Sequence, residues 1–223
     1  MKSRVVIVYQ DNHLLVLDKP AGLLTQPSGT DQDSLEAQGK SWVKEVSNKP
    51  GNVYLHAVHR LDRPVSGLVL FARTSKALSR LQESLREKET AKTYLAIVEG
   101  ALSSLEGKLS HYLVHEEHST RVVSAQTAKS KLATLTYKVL ATQQKTSIVE
   151  VQLETGRYHQ IRAQFAAIGH PILGDLKYGS RLSFLPGAIA LHHWRFQVKH
   201  PVSKELTLFE ALPYHWEVYT PRS

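Results

Sequence analysis

Apolar residues along this chain follow two periods, one typical of β-strands and one typical of α-helices. Short apolar runs and alternations predict strands, because successive strand residues point to opposite faces of a sheet. The predicted strands are residues 4–9, 14–17, 54–58, 68–71, 92–100, 131–140, 147–153, 189–191, 196–198 and 206–209. Most are short and separated by turn residues, so the pattern favours a strand-rich α+β fold.

Three segments carry apolar residues at helical spacing. The apolar stripes are Leu35, Trp42, Val43 and Val46 in the first segment, Ala77, Leu78, Leu81 and Leu85 in the second, and Ile161, Phe165 and Ile168 in the third. Asp33, with Glu36 three residues later, predicts a capping box at the first helix, and Thr74 or Ser75 is the predicted cap of the second. Residues 101–130 follow neither period clearly, so no element is predicted there.

Composition limits the class of protein. The 223 residues are 42% apolar, which suits one globular domain spanning 1–223. No apolar stretch is long enough to span a membrane, and the absence of cysteine fits a reducing compartment, so we expect a cytoplasmic protein. The formal net charge of +8 suits a polyanionic partner, most simply a nucleic acid.

One segment, His59–Gly67, brings a carboxylate, two guanidinium groups and an imidazole together. Asp62 stands between Arg60 and Arg63, just before the predicted strand at 68–71, so it is expected at the edge of a buried strand. Positive charge on both sides favours the ionised carboxylate, and an ionised, positioned aspartate is a candidate nucleophile. The same residues also fit a surface ion pair at a turn, and local composition favours that alternative.

A second basic cluster, Glu154–Arg162, combines a glycine turn with a predicted helix start. It carries Arg157, His159 and Arg162, and the free N–H groups of a helix N-terminus attract anions. The pattern fits an anion site and a solvated helix start equally well. Asp175, in the turn-rich stretch after this helix, is interpreted as a backbone cap.

Three histidines, His111, His115 and His118, lie close together in the chain. Their spacing falls in a stretch with no convincing helix pattern and no accompanying group of carboxylates, so we predict no metal site.

Several motifs in a fixed order resemble the RluA-type family of RNA pseudouridine synthases. These motifs are His59-Arg60-Leu61-Asp62-Arg63 with Ser66-Gly67, then Lys92-x-Tyr94, then Gly156-Arg157-x-His159-Gln160-Ile161-Arg162, supported by Asp18-Lys19-Pro20-Ala21-Gly22 and Gly169-His170-Pro171-Ile172-Leu173-Gly174-Asp175. Each motif is weak by itself, but the ordered series covers roughly residues 5–212 and is highly specific. Val65 departs from the pattern, since relatives often carry threonine there.

The resemblance implies a mixed, largely antiparallel sheet, split by a central catalytic cleft and flanked by helices and loops. It also implies an isomerase that flips a uridine out of rRNA or tRNA, breaks the bond between N1 and C1′, and rejoins the base through C5. No cofactor or metal is needed. Many members carry an N-terminal S4 RNA-binding domain, but the first predicted strand begins near Arg4. We therefore expect that domain to be missing, RNA to bind the catalytic domain itself, and the protein to be a monomer without a required protein partner.

The resemblance assigns roles to individual residues. Asp62 matches the nucleophile, Arg162 the arginine that pairs with the catalytic carboxylate, and Tyr94 the tyrosine that lies against the flipped base and is a candidate for the late proton transfer. Arg60 matches the position that fills the gap left by the base. The predicted RNA-binding residues are His59, Arg60, Arg63, Arg157, His159 and Gln160.

Two other functions stay open at this stage. The same fold and basic surface would serve a catalytically silent RNA-binding or ribosome-assembly protein. A phosphate-processing hydrolase or nuclease would instead use His159 and Asp175 and would depend on a metal ion. The sequence does not indicate which RNA or which uridine is modified, and we expect the loops at 25–52 and 101–130 to decide it.

Overall fold

Two structural units make up the chain in the computed structural model, which describes residues 5–48, 51–214 and 216. The first unit comprises residues 1–91 and 193–213, and the second comprises residues 92–192 and 214–223. The prediction of a single domain over residues 1–223 is not tested by this division and stays a prediction.

The described residues form eleven strands and three helices. In chain order they are β1 (Val6–Gln10), β2 (Leu14–Lys19), α1 (Leu35–Ser47), β3 (His56–Ala57), β4 (Ser66–Ala72), α2 (Ser75–Arg86), β5 (Ala91–Glu99), β6 (Glu106–His115), β7 (Thr120–Val123), β8 (Ser130–Thr142), β9 (Thr146–Leu153), α3 (Gln160–Ala167), β10 (Leu191–Lys199) and β11 (Leu206–Glu210). A short 3₁₀ turn at Leu176–Tyr178 follows α3. The predicted α+β class, with a mixed and largely antiparallel sheet, is confirmed, whereas the central cleft stays a prediction.

The first unit is built around β2 and β4, which pair antiparallel with Val16 opposite Leu70. β1 extends this sheet beyond β2, β10 lies beside β4, and β3 and β11 pair with β4 and β10. Every residue of β2 is buried, as are residues 67–72 of β4. Helix α2 contributes Leu81 to the core on one face, and Gly39 of α1 lies close to Leu17 on the other. Burial on both faces explains why these strands read as continuous apolar runs.

Gly67 allows two backbones of the first unit to approach each other. Its φ is +114°, and a Cβ built there would lie 2.4 Å from the carbonyl oxygen of His193 and 2.5 Å from its nitrogen. Any other residue would be strained in its backbone and would collide with β10. Gly67 of the central motif is therefore required by the packing of β4.

The second unit is an antiparallel sheet in the order β5-β9-β8-β6-β7. Helix α3 packs on β6 and β7, where Ala163 lies against Leu113 and Ala133. Gln164 of α3, fully buried, donates from Nε2 to the carbonyl oxygens of Leu109 and Ala133 at 3.2 and 3.1 Å. The helix is thereby tied to β6 and β8 by hydrogen bonds as well as by apolar contact.

Residues 101–130 contain two strands, β6 and β7, that the sequence pattern did not predict. Leu109 and Leu113 are buried four residues apart, and the position between them on the same face holds His111, which is half-buried and contacts the Gln164 amide. A polar residue therefore interrupts the alternation of apolar residues. Its burial is tolerated because its ring has a hydrogen-bonding partner inside the unit.

Helix α1 begins differently from the prediction. Ser34 is its N-cap, since its hydroxyl accepts the Ala37 N–H at 3.2 Å, whereas Asp33 accepts the N–H of Ser34. The predicted capping box of Asp33 with Glu36 is therefore wrong. Val46 is also not part of the buried stripe, because its side chain is exposed beyond the last buried turn.

Other boundaries shift by a few residues. The strand predicted at 54–58 is reduced to β3, and residues 189–190 precede β10 instead of belonging to a strand. Arg4, the first residue of the first predicted strand, lies outside the described residues. The cap of α2 is confirmed as Thr74, whose hydroxyl accepts the Ala77 N–H at 3.1 Å.

Candidate active site

Asp62 lies in the loop between β3 and β4 of the first unit, in a half-buried position four residues before β4 begins. Its carbonyl oxygen accepts the N–H of Val65 at 3.0 Å, which closes a turn at the entrance to the strand. The predicted location at the edge of a buried strand is therefore confirmed. A carboxylate in such a place is held by a rigid element yet keeps some access to solvent.

The two arginines beside Asp62 differ in what they contact. Arg63 is exposed, and its Nε donates to the carbonyl oxygen of Gly22 at 2.9 Å, so part of its guanidinium is committed to the backbone. Arg60 is exposed. The exposure of both groups leaves them open to a phosphate or a base.

The buried cation near this loop is Lys19, at the end of β2, whose role sequence analysis missed. Its side chain is fully buried, and Nζ donates to the carbonyl oxygens of Pro20, Leu23 and Arg63 at 3.0, 2.8 and 3.2 Å. Three carbonyl acceptors match the three donors of an ammonium group. The signal was present in the sequence, because a lysine directly continues a buried apolar strand.

Charge and burial act on Lys19 in opposite directions. Burial lowers the pKa of Lys19 to about 7, while the carboxylates of Asp62 and Asp18 favour its charged form. Both the charged and the neutral form of Lys19 are therefore present near pH 7. In the buried setting the charged form interacts with these carboxylates more strongly than it would at the surface.

His59 packs inside the first unit. Its Nε2 accepts the N–H of Leu70 at 3.2 Å, and its ring meets those of His193 and Phe196 edge to face, with centroids 5.3 and 4.9 Å away. These contacts fix the start of the Asp62 loop against β4 and β10. The RNA contact expected of His59 stays a prediction.

In the second unit, Arg162 forms an ion pair with Asp175. Arg162 Nε lies 2.6 Å from one carboxylate oxygen of Asp175 and Nη2 lies 2.9 Å from the other, and both side chains are buried. The guanidinium also lies over the ring of Tyr178, 5.0 Å from its centroid. Asp175 is therefore not the backbone cap that we predicted, since its carboxylate makes no cap hydrogen bond to the 3₁₀ turn.

The residues at the start of α3 differ in their exposure to solvent. His159 is buried with a left-handed φ of +51°, and its Nδ1 lies 2.8 Å from the hydroxyl of Tyr178, which itself accepts the N–H of Thr120 at 2.8 Å. Gln160 is buried too, and its side chain accepts the N–H of Arg157 at 3.0 Å. Arg157 is exposed, so it is the predicted RNA-binding residue of this cluster that faces solvent.

Tyr94 lies in β5, opposite Val151 of β9, and is 7% exposed. A tyrosine there places most of its ring in the apolar interior, and the hydroxyl of a buried tyrosine usually has a hydrogen-bond partner. The roles expected of Tyr94 and of Arg162 in catalysis stay predictions.

Among the described residues, no group of three or more histidine, cysteine or carboxylate side chains is arranged to hold a metal ion. The two residues of the alternative hydrolase, His159 and Asp175, are engaged by Tyr178 and Arg162. Within the same part of the chain, no helix has the length and apolar character needed to cross a membrane.

Comparisons with known proteins agree on one family. The family model described as RNA pseudouridylate synthase matches residues 13–167, more than half of the chain. An uncharacterised RNA pseudouridine synthase of Bacillus subtilis, YhcT, is 35% identical over 92% of this chain and 67% of its own length. The dual-specificity RNA pseudouridine synthase RluA of Pasteurella multocida is 34% identical over 93% of this chain and 92% of its own length.

Other relatives are longer than this chain. The ribosomal large subunit pseudouridine synthase D of Pseudomonas aeruginosa is 36% identical over 82% of this chain, but the match spans only 56% of that enzyme. Among solved structures, human RNA pseudouridylate synthase domain containing 4 superimposes with a TM-score of 0.80 over 96% of this chain and 90% of its own, at 21% identity. That likeness shows a shared fold.

Proposed function

Since the chain belongs to the RluA-type family of RNA pseudouridine synthases, we propose that it isomerises one specific uridine to pseudouridine in rRNA or tRNA. A relative named for the ribosomal large subunit supports rRNA as the substrate, and a relative named for dual specificity supports more than one kind of target. The net charge of +8 supports an RNA partner, because cationic side chains replace the counterions of a phosphate backbone.

The observation that carries the proposal is the setting of Asp62. Its loop enters a buried strand, and the carbonyl oxygen of the next residue, Arg63, accepts a hydrogen bond from the buried side chain of Lys19. Breaking a glycosidic bond develops positive charge on the sugar, and a carboxylate beside C1′ stabilises that charge. Asp62 is therefore the reacting carboxylate, either as a nucleophile that attacks C1′ of the ribose or as a base that first removes a sugar proton.

The isomerisation then takes place on the flipped base, and three further residues assist it. The bond between N1 and C1′ breaks, the base turns within the pocket, and C5 bonds to C1′ and then loses its proton while N1 gains one. Arg60, exposed beside Asp62, takes the place of the base, since a planar guanidinium both stacks on bases and binds phosphate. Tyr94 lies against the base and takes part in the late proton transfer. Arg162, whose orientation is supported by its ion pair with Asp175, is the arginine that pairs with the catalytic carboxylate.

RNA binding uses the exposed Arg63 and Arg157, with His59, His159 and Gln160 shaping the surfaces around them. The enzyme acts as a monomer in the cytoplasm without a required protein partner, cofactor or metal ion.

The experiment is pseudouridine mapping of total RNA from cells with and without the gene. One site is expected to lose its pseudouridine in the deletion and to regain it with the wild-type gene or with Glu83→Ala, a change of an exposed carboxylate on α2 of the same unit. Asp62→Ala is expected to bind the same RNA yet leave the site as uridine. Conversion by Asp62→Ala would contradict the assignment, and RNA binding by wild type without any conversion would favour the catalytically silent alternative.

A further inference from the structure

Residues on both sides of Asp62 are held by one segment of the first unit, Lys19–Thr25. The hydroxyl of Thr25 donates to the carbonyl oxygen of Leu61 at 3.0 Å and accepts the N–H of the same residue at 3.2 Å. Thr25 is only 4% exposed and Leu61 8%, so little water reaches these bonds. A hydroxyl offers one donor and two lone pairs, which lets this single side chain satisfy both backbone groups of Leu61.

The other side of Asp62 is held as firmly. The carbonyl oxygen of Arg63 accepts the N–H of Gly22 at 2.8 Å and the ammonium of Lys19 at 3.2 Å. In return, Arg63 Nε donates to the carbonyl oxygen of Gly22. With both neighbours bound, the backbone of Asp62 has little freedom to move.

We propose that Thr25 is a positioning residue for Asp62, acting through Leu61. The proposal rests on the proposed function, because it takes Asp62 to be the reacting group. Without the hydroxyl, the N–H and carbonyl of Leu61 would lose this buried partner, and burying such groups without a hydrogen bond is unfavourable. The backbone would move to satisfy them, carrying Asp62 with it, and a displacement of about 1 Å at a reacting group costs roughly 100-fold in rate.

The lysine and glycine contacts would not replace the threonine, because they act on the residue after Asp62. A purely structural threonine would behave differently on substitution. It would lower the thermal midpoint, but the folded fraction would keep the wild-type rate constant. The rate constant of folded protein therefore separates positioning from general stability.

The test compares two substitutions of Thr25 with a control in the full-length chain. Thr25→Val keeps the shape and removes the hydroxyl, and Thr25→Ser keeps the hydroxyl. The control, Thr207→Val, changes a threonine of β11 in the same unit whose hydroxyl donates to the carbonyl oxygen of Glu205. The substrate is total RNA from cells lacking the gene, labelled with tritium at uridine C5, and the readouts are single-turnover tritium release and RNA affinity, each measured below the unfolding midpoint of the variant.

Thr25→Val is expected to lower the single-turnover rate constant by about 10- to 100-fold with RNA affinity within about twofold of wild type. Thr25→Ser is expected to stay within about fivefold, and Thr207→Val to match wild type. A loss below about fivefold in folded Thr25→Val overturns the proposal. If Thr25→Val does not fold, Thr25→Ser decides, because a loss above about fivefold with the hydroxyl retained overturns it and a smaller loss supports it.

Wild type and Asp62→Ala in the same assay separate the two proposals. No tritium release by wild type would refute the proposed function and the positioning role with it. Release by wild type that is abolished in Asp62→Ala but retained in Thr25→Val would refute the positioning role alone.

Discussion

The change Asp175→Asn is expected to destabilise the second unit by about 3–5 kcal/mol, the cost of removing one partner from a buried ion pair. The structure supports the upper part of that range. The side chains of Arg162 and Asp175 are 5% and 1% exposed, and two hydrogen bonds of 2.6 and 2.9 Å join them. Asparagine would turn an N–H donor toward the guanidinium, and Arg162, already packed over Tyr178, would stay buried with less compensation for its charge.

Urea unfolding followed by circular dichroism measures this loss, with hydrogen exchange to assign it to the second unit, since two units need not unfold together. The thermal midpoint is expected to fall by about 6–20 °C, given about 2–4 °C per kcal/mol for a chain of this size. The control is Glu154→Gln, which removes a charged partner from Lys108 at the surface of the same unit. Exposed pairs contribute only about 0–1 kcal/mol.

If Asp175→Asn loses no more free energy of unfolding than Glu154→Gln does, the prediction is refuted. Such a result would mean that the buried carboxylate contributes no more than a solvated one. The 3₁₀ turn at Leu176–Tyr178 would then have to be held by its backbone hydrogen bonds and by Tyr178, and the fixed orientation proposed for Arg162 would lose its main support.

Two further predictions concern the first unit. Burial raises the pKa of Asp18 to about 6 from 3.8, against the opposing charge of Lys19. Between these two pH values the folded protein therefore binds more protons than the unfolded chain. Its free energy of unfolding falls by up to about 3 kcal/mol as the pH rises through them. Asp18→Asn removes this cost, and its free energy of unfolding relative to wild type should increase by about 2–3 kcal/mol from about pH 4 to about pH 7; equal differences at both pH values would contradict it. Gly67→Ala should lower the free energy of unfolding by more than about 3 kcal/mol in thermal unfolding, because the added Cβ would collide with the His193 backbone. The control Gly156→Ala, with no atom within 4 Å of the added Cβ, should change little. Equal midpoints for the two variants would show that β4 moves away from β10 freely.

Strands buried on both faces were the most predictable part of the fold. Leu14–Leu17 of β2 and Leu68–Ala72 of β4 appear in the sequence as unbroken apolar runs, because both faces of these segments are buried. β6 was missed for the opposite reason. His111 occupies a position where the pattern requires an apolar side chain, and only the amide of Gln164, 53 residues away in the chain, makes that acceptable.

The candidate site shows the same division. The motif around Asp62 and the identity of the family follow from the order of residues alone, because the chemistry demands particular side chains at short spacings. The interaction partners of those side chains do not follow from the order of residues. Asp175 looked like a cap until its carboxylate was found on Arg162, and neither Lys19 nor Thr25 carries any local sign of contacting Arg63 or Leu61.

Local sequence therefore determined most of the elements, the charge and the family of this protein. Tertiary structure alone decided which buried polar groups meet, such as Thr25 and Leu61, 36 residues apart in the chain. The physical reason is that apolar burial depends on periodicity within a segment, whereas a buried hydrogen bond or ion pair depends on distances of a few ångströms between segments that only the folded chain brings together.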